Sequence, residues 1–206
     1  GSGMVAPQLA TVLVFITTDA AISPSALQAV LDRAVRGSFN NLIIDGDMSP
    51  NDSVFALANG LAGNVALDED VEGFAEFAAA LTDTCVELAR AIAEDGEGAT
   101  KAIEVQIEGA PDEDIGRDLA RSVAGSSMVK AAVFGADPNW GRVLATIGAR
   151  AGSQGFPVDP LAATVCIQGI TVFEHGAPVS YDPASLKAKM RNPQIAIAIT
   201  LAEGKA

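Results

Sequence analysis

The run Thr11-Val-Leu-Val-Phe-Ile-Thr-Thr18, followed by Ser23-Pro24, decides the fold class. Apolar and β-branched residues fill the run, which predicts a buried strand over 11–18. Ser23 as N-cap and Pro24 in the first turn predict that a helix begins directly afterwards. Apolar residues then recur at helical spacing: Leu27, Val30, Leu31, Ala34 and Val35. A buried strand that leads into an amphipathic helix indicates a protein of mixed α and β structure.

The same alternation continues along the chain. A short strand is predicted over 41–45 and the longest helix over 72–94, with an apolar stripe of Phe74, Phe77, Ala78, Leu81, Cys85, Leu88 and Ile92. Further strands are predicted over 101–108, 128–134, 163–173 (a pair) and 194–201, with helices over 112–125, 140–151 and 184–190. A turn is expected over 135–139. We therefore predict an α/β (α+β) fold in which helices are layered over mixed β-sheets, with a domain boundary at Ala110-Pro111-Asp112.

Charge and hydropathy exclude two classes of partner. The 206 residues include 26 acidic and 13 basic side chains, a formal net charge of −13. Lys and Arg are not clustered, so we expect no nucleic-acid partner. No apolar run is long enough to span a bilayer and no basic, apolar leader opens the sequence, so we expect no membrane partner and a cytoplasmic location.

The cysteines and the histidine limit the chemistry that the chain can perform. Cys85 lies on the apolar stripe of a predicted helix and Cys166 in a predicted strand, which favours buried free thiols over a disulfide or a metal pair. His175, the only histidine, lies in a predicted turn over 174–178 and is expected at the surface. This disfavours a Ser-His-Asp triad and a multi-histidine metal site, and we predict neither metal nor cofactor.

Polar residues and glycines cluster at four predicted strand or helix ends: 1–11, 45–53, 95–101 and 135–142. Each cluster alone has a structural explanation as a turn, a helix stop or a cap. Asp45, Asp47 and Asp52 suggest calcium, but the segment lacks the EF-hand ligand series and its terminal Glu.

Taken in order, the clusters resemble the ornithine acetyltransferases (bifunctional glutamate N-acetyltransferases) of arginine biosynthesis. The resemblance is carried by Gly1-Ser2-Gly3-Met4-Val5-Ala6-Pro7, Leu9-Ala10-Thr11, Ile16-Thr17-Thr18-Asp19-Ala20, Asp45-Gly46-Asp47, Asn51-Asp52-Ser53, Glu97-Gly98-Ala99-Thr100-Lys101 and Gly135-Ala136-Asp137-Pro138-Asn139-Trp140-Gly141-Arg142. Met48 and Pro50 stand where Thr is common in the family, and Gln8 is a variation beside the cleavage site.

The resemblance implies a self-cleaving sandwich of the N-terminal-nucleophile type. The precursor is expected to cut itself between Ala10 and Thr11, so that residues 1–10 end a first subunit. Residues 11–110 would then form the nucleophile-bearing domain, and 111–206 a smaller C-terminal α+β domain. Thr11 would carry the acetyl group from N-acetylornithine to glutamate in a ping-pong reaction, with its own freed α-amine as the base.

Further site residues follow from the same resemblance. Glu97 is expected at the substrate, where it either binds the substrate ammonium group or orients the Thr11 amine. Lys101, next to Thr100, is assigned support of the pocket by adjacency. Asp137, Asn139, Trp140 and Arg142 are expected to brace the pocket.

The resemblance also implies partners. A preceding subunit is expected to carry the oxyanion hole, in an assembly of two first and two second subunits. The family pattern places a lysine just before Gly1 and an Asn and a terminal Thr or Ser in a tail after Ala206. Two alternatives remain open: a self-cleaving aminopeptidase or amidase of related fold, and a non-catalytic assembly domain in which Thr11 only begins a strand.

Overall fold

The computed structural model describes residues 12–46, 51–202, 204 and 206. The expectations for Ala10, Thr11, Met48 and Pro50 lie outside these residues. The described chain divides into two compact units, 1–97 and 98–206, called here the N-terminal and C-terminal units.

The N-terminal unit contains two parallel strands and two helices. Its elements are β1 (Leu13–Thr18), α1 (Pro24–Gly37), a 3-10 turn (Phe39–Asn41), β2 (Ser53–Ala58) and α2 (Phe74–Glu94). Strands β1 and β2 pair from Leu13↔Ser53 to Thr18↔Ala58. The predicted cap is confirmed, since the Ser23 hydroxyl accepts a hydrogen bond from the Ala26 N–H at 3.2 Å.

The helices of this unit bury their predicted stripes against one face of the strands. Helix α1 buries Leu27, Val30 and Ala34, and α2 buries Phe74, Leu81 and Cys85 in the same cluster. Leu88, predicted to belong to the stripe, is 37% exposed and lies at its margin. Burial on β1 alternates as a strand with one covered face requires.

The C-terminal unit is a five-stranded sheet covered by helices. Its elements are β3 (Ala102–Glu108), α3 (Glu113–Gly125), α4 (Ser127–Phe134), α5 (Trp140–Gln154), a 3-10 turn (Pro160–Ala162), β4 (Thr164–Ile167), β5 (Ile170–Glu174), β6 (Ala177–Pro178), α6 (Pro183–Lys189) and β7 (Gln194–Thr200). The strand order is β3-β7-β4-β5-β6. Only the β3–β7 pair is parallel among these described strands, so the sheet is mixed as predicted.

Alternation along β7 places the core on one face of this sheet. Ile195, Ile197 and Ile199 are buried, while the residues between them are exposed. The buried face joins Leu119 of α3 and Ile147 of α5 in one hydrophobic cluster. The predicted paired strands are confirmed as an antiparallel hairpin, whose two turn residues, Gln168 and Gly169, both have positive φ, as the common two-residue hairpin turn requires.

The structure divides the chain earlier than the sequence suggested. The division lies between Glu97 and Gly98, whereas the predicted boundary is at Ala110-Pro111-Asp112. The physical reason is β3, which pairs along its whole length with β7 and thereby belongs to the C-terminal unit.

Two local predictions are wrong. Residues 41–45 form the end of a 3-10 turn followed by bends rather than a strand, and the partner of β1 is β2, which was not predicted. Residues 128–134, predicted as a strand, belong to helix α4. Ser126 caps this helix by accepting a hydrogen bond from the Val129 N–H at 3.3 Å, and a short apolar run has no periodicity that separates the two structures.

Candidate active site

The backbone at Val12, which follows Thr11 in the sequence, is held by Asp52 and by Ser53, the first residue of β2. Thr11 and Ala10 lie outside the described residues, which begin with Val12. The Val12 N–H donates a hydrogen bond to the Asp52 carboxylate Oδ1, and the Val12 carbonyl accepts one from the Ser53 N–H at 3.0 Å. Both backbone hydrogen-bonding groups of Val12 are therefore fixed. No site role was predicted for Asp52, although it lies in the segment 51–53 that carries part of the resemblance.

Glu97 lies in the turn that follows α2. The helix ends at Glu94, as the Asp95-Gly96-Glu97-Gly98 segment predicts, and Gly98 has a φ of +69°. A left-handed conformation at that position favours glycine and reverses the chain. The Glu97 side chain is exposed, so its carboxylate is accessible to a charged ligand.

Lys101 makes two short hydrogen bonds to helix ends. Its Nζ donates to the carbonyl oxygens of Val133 and Met190, each at 2.6 Å. Val133 lies in the last turn of α4 and Met190 is the C-cap of α6, where exposed carbonyls and the helix dipole favour a cation. Burial lowers the pKa of Lys101. Through these contacts the Lys101 side chain holds the ends of α4 and α6.

The segment 135–142 is a turn that feeds helix α5. The Asn139 side chain caps the helix, accepting from the Arg142 N–H at 3.2 Å, and donates to the Asp137 carboxylate at 3.0 Å. Trp140 stacks on Phe173 with ring centroids 4.9 Å apart. The polar side chains of this segment are therefore engaged in holding the turn and its helix.

Lys101 and the 135–142 segment meet on helix α4. Arg142 Nη1 donates to the Met128 carbonyl at 2.8 Å, in the first turn of α4, while Lys101 binds the carbonyl of Val133 in the last turn. The Asp137 N–H donates to the Ala132 carbonyl at 2.9 Å. The structure thus brings together three of the predicted support residues around one short helix.

An ion pair that the sequence did not reveal links α3 to α5. Arg150 donates two hydrogen bonds to the Asp118 carboxylate, at 2.6 and 2.8 Å. The Arg150 guanidinium holds the pKa of the Asp118 carboxyl below its usual range. Arg121 lies in the same cluster, with a buried Nε that has no hydrogen-bond partner in the described parts of the chain. Arg142 and Arg150 line an adjacent open groove of about 500 Å³.

The positions of the thiols and the imidazole can be compared with the predictions. Cys85 is a buried free thiol in α2, as predicted, whereas the free thiol of Cys166 in β4 is only half-buried. The His175 side chain is 90% exposed in the turn between β5 and β6, which confirms the predicted surface position. Among residues 12–46, 51–202, 204 and 206, no cluster of three or more potential metal ligands occurs. Within the same ranges, no helix has the length and hydropathy of a membrane span.

Comparison with known proteins identifies the family. The profile of the ArgJ family matches residues 1–206. The arginine biosynthesis bifunctional protein ArgJ of Thermosynechococcus vestitus is 47% identical over 205 residues, covering 100% of this chain and 48% of that protein. Its counterpart in Lactococcus lactis is 42% identical over 204 residues, covering 99% of this chain and 50% of that protein. This chain therefore spans about half the length of these curated relatives.

A solved structure confirms the fold class. The crystal structure of arginine biosynthesis bifunctional protein ArgJ from Bacillus halodurans superposes with a TM-score of 0.91 at 36% identity, covering 95% of this chain and 91% of that one. The match of the family profile over every residue, together with this superposition, settles the assignment. The chain belongs to the ArgJ family.

Proposed function

We propose that this chain provides the nucleophilic threonine of an ornithine acetyltransferase, which moves an acetyl group from N-acetylornithine to glutamate. The observation that carries the proposal is the match of the ArgJ family profile over residues 1–206, the whole chain including Thr11. Relatives named as bifunctional proteins of arginine biosynthesis support the reaction class.

The proposed chemistry begins with self-cleavage. The Thr11 hydroxyl attacks the Ala10 carbonyl, the acyl group shifts from nitrogen to oxygen, and water hydrolyses the resulting ester. Thr11 then carries a hydroxyl nucleophile and a free α-amine, whose reference pKa is about 7.7 to 8.0. In the first half-reaction the acetyl group moves to the hydroxyl and ornithine leaves. In the second, the α-amine of glutamate takes the acetyl group, which gives ping-pong kinetics.

The position of His175 supports a mechanism in which this chain contributes no imidazole. His175 is the only histidine of the chain, and 90% of its side chain is exposed in a hairpin turn. A catalytic base needs a fixed position within hydrogen-bond distance of the nucleophile. The terminal amine of Thr11 meets this need by covalent attachment.

Glu97 is proposed to bind the ammonium group of the substrate. Its carboxylate is exposed in the N-terminal unit, and both ornithine and glutamate carry an ammonium group. Lys101, Asp137, Asn139 and Arg142 are proposed to support the pocket through helix α4 rather than to react. Their observed hydrogen bonds end on backbone groups or on one another.

An uncovered sheet face supports the proposed partner, the preceding subunit that carries the oxyanion hole. Strands β1 and β2 expose one apolar face, formed by Leu13, Phe15, Phe55 and Leu57. Phe15 is 65% exposed and stacks on Phe55 with centroids 5.1 Å apart. A two-stranded sheet with such a face requires a covering layer, and the relatives are about twice as long as this chain. The two-plus-two assembly and the cytoplasmic location stay predictions.

Variants of Thr11 in the precursor, expressed at the length of its relatives, test the proposal. On a denaturing gel, Thr11→Ala is expected to remain one uncut chain, while Thr11→Ser keeps the hydroxyl and is expected to cleave. An unchanged chain length between the parent precursor and Thr11→Ala would instead support the assembly-domain alternative. Ornithine release that is independent of glutamate would favour the aminopeptidase or amidase.

A further inference from the structure

Acidic residues are scarce in one segment of this otherwise acidic chain. Residues 119–154 include the second half of α3, all of α4 and all of α5. One acidic side chain, Asp137, stands there against four basic ones, Arg121, Lys130, Arg142 and Arg150. The segment therefore has a formal charge of +3 in a chain whose total is −13. A local charge that opposes the charge of the rest of the protein indicates a site for a ligand of the other sign.

Two of these arginines line the open groove of about 500 Å³ beside helix α5. Arg142 and Arg150 are eight residues apart on this helix, so their Cα atoms lie about 12 Å apart. Between them in the sequence, the exposed residues Ala145 and Ala149 also line the groove. None of the described residues that line it is acidic. A cavity of this size, apolar with a few polar groups, is typical of small-molecule sites.

Both guanidinium groups of the groove keep N–H donors for an anion. An arginine side chain has five such donors. Arg142 uses one of them, from Nη1 to the Met128 carbonyl at 2.8 Å, and Arg150 uses two, from Nε and Nη2, on the Asp118 carboxylate. The other donors of both side chains have no partner in the described parts of the chain. Guanidinium groups bind carboxylates and phosphates through paired, charge-assisted hydrogen bonds.

Asp118 does not balance the charge of the arginines that surround it. Its carboxylate binds Arg150, and attraction to Arg121 also helps to hold its pKa below the usual range. Burial lowers the pKa of Arg121, and repulsion by Arg150 and Arg117 lowers it further. Three guanidinium groups thus share this one carboxylate, and Arg117 reaches a second one, that of Asp114, only at 3.9 Å. Positive charge is therefore left over beside the groove.

We propose that the groove binds a small organic dianion, with one acidic group at Arg142, the other at Arg150, and an apolar chain between them along Ala145 and Ala149. Guanidinium groups recognise carboxylates and phosphates by the same chemistry, so the ligand class is a dicarboxylate or a bisphosphate. The spacing of the arginines selects a long dianion, because a short one reaches only one of them. This site goes beyond the acetyl transfer proposed above and does not depend on it.

Isothermal titration calorimetry of the complete enzyme compares ligands of different charge and length. Sebacate is a dicarboxylate whose extended carbon chain is about as long as two helical turns, about 11 Å. Decanoate has the same number of carbon atoms but one carboxylate, and succinate has two carboxylates on a short chain. The bisphosphonate with the same methylene spacer as sebacate distinguishes a phosphate-type ligand from a carboxylate.

Ala149→Glu and Ala149→Gln form a matched pair of variants that leaves both arginines in place. Each adds a side chain of nearly the same size at an exposed position that lines the groove, and only the glutamate adds a negative charge. Thermal unfolding checks that both variants are folded. If they are not, Ala145→Glu and Ala145→Gln replace them, because Ala145 is likewise exposed and lines the groove.

Sebacate is expected to bind the parent enzyme at least about tenfold more tightly than decanoate or succinate, because only sebacate engages both guanidinium groups. Ala149→Glu should bind sebacate about tenfold more weakly than Ala149→Gln, since the two variants differ by one charge beside the ligand. Added salt should reduce this difference.

Each result either supports the site or overturns it. Equal affinities for sebacate, decanoate and succinate would overturn it, because no ligand would then span the two arginines. Equal sebacate affinities in the two Ala149 variants would also overturn it, because binding would then lie elsewhere. So would the absence of binding by both sebacate and the bisphosphonate. If either binds with the expected dependence on charge, the site is supported, and the tighter of the two identifies its acidic group.

Discussion

Lys101→Met tests whether Lys101 acts as a brace. The substitution keeps an apolar stem of similar length and removes the ammonium group that binds the carbonyls of Val133 and Met190. Bracing predicts that the ends of α4 and α6 open more readily. A direct catalytic role predicts that acetylation of Thr11 is lost while the ends of α4 and α6 do not open more readily.

The two hydrogen bonds of Lys101 set the size of the expected loss of local stability. A hydrogen bond from a charged donor contributes about 1.5 to 3 kcal/mol, and Lys101 makes two of them. Burial lowers the pKa of the lysine, which shows that desolvation offsets part of this gain. We therefore expect a net loss of about 2 kcal/mol in the local opening free energy, or about a 30-fold loss of protection at roughly 1.4 kcal/mol per tenfold.

Amide hydrogen exchange in the complete enzyme measures this loss. Peptides that cover 127–137 and 183–192 should lose protection, and peptides from α2 in the N-terminal unit should not. Lys187→Met is the matched control, because Lys187 is exposed on α6 and should change protection by less than about twofold. Unchanged exchange in Lys101→Met, together with lost acetylation of Thr11, would refute the bracing role.

Two further predictions concern the C-terminal unit. Gly109 has a φ of +71°, and an added Cβ would lie 2.2 Å from the Leu201 carbonyl oxygen. Gly109→Ala should therefore lower the free energy of unfolding by more than about 2 kcal/mol. The control, Gly152→Ala, lies at a helical site with open space and should not lower the thermal midpoint. The pKa of Asp118 is lowered by Arg150, so the folded state gains stability above the unfolded pKa of about 3.9 and loses it as pH falls further. Asp118→Asn should therefore reduce stability at pH 7 by about 1 kcal/mol, given the partial exposure of the pair. The variant should also lose less stability than the parent between pH 5 and pH 3, as measured by thermal unfolding. An unchanged acid dependence would contradict the stabilising role of the Asp118–Arg150 pair.

Local signals in the sequence predicted most of the helices and strands. Ser23-Pro24 marks the start of α1, and Asp112 caps α3 through its side chain at 2.8 Å from the Ile115 N–H. One error arose because two short apolar runs were both candidates for the strand that pairs with β1. Residues 41–45 and 53–58 both have strand composition, and only the tertiary pairing with β1 decides between them. The 128–134 run is too short for periodicity to separate helix from strand.

The site was only partly predictable, because its contacts are long-range. Lys101 reaches carbonyls 32 and 89 residues away, and Arg150 pairs with a carboxylate 32 residues away. Backbone carbonyls leave no mark in a sequence, and one arginine among many does not reveal its partner. Asp52 was visible as part of the polar cluster 45–53, but its side-chain contact with Val12 became apparent only once β1 and β2 were paired.

The central claim is that the side chain and the freed amine of Thr11 carry out the acetyl exchange together. Brief exposure of the cleaved enzyme to N-acetylornithine, followed by mass spectrometry of the Thr11 peptide, tests it most directly. The account predicts a gain of about 42 Da, one acetyl group on a covalent nucleophile, which disappears when glutamate is added. Full turnover without this adduct, or by a precursor never cut before Thr11, would contradict the claim.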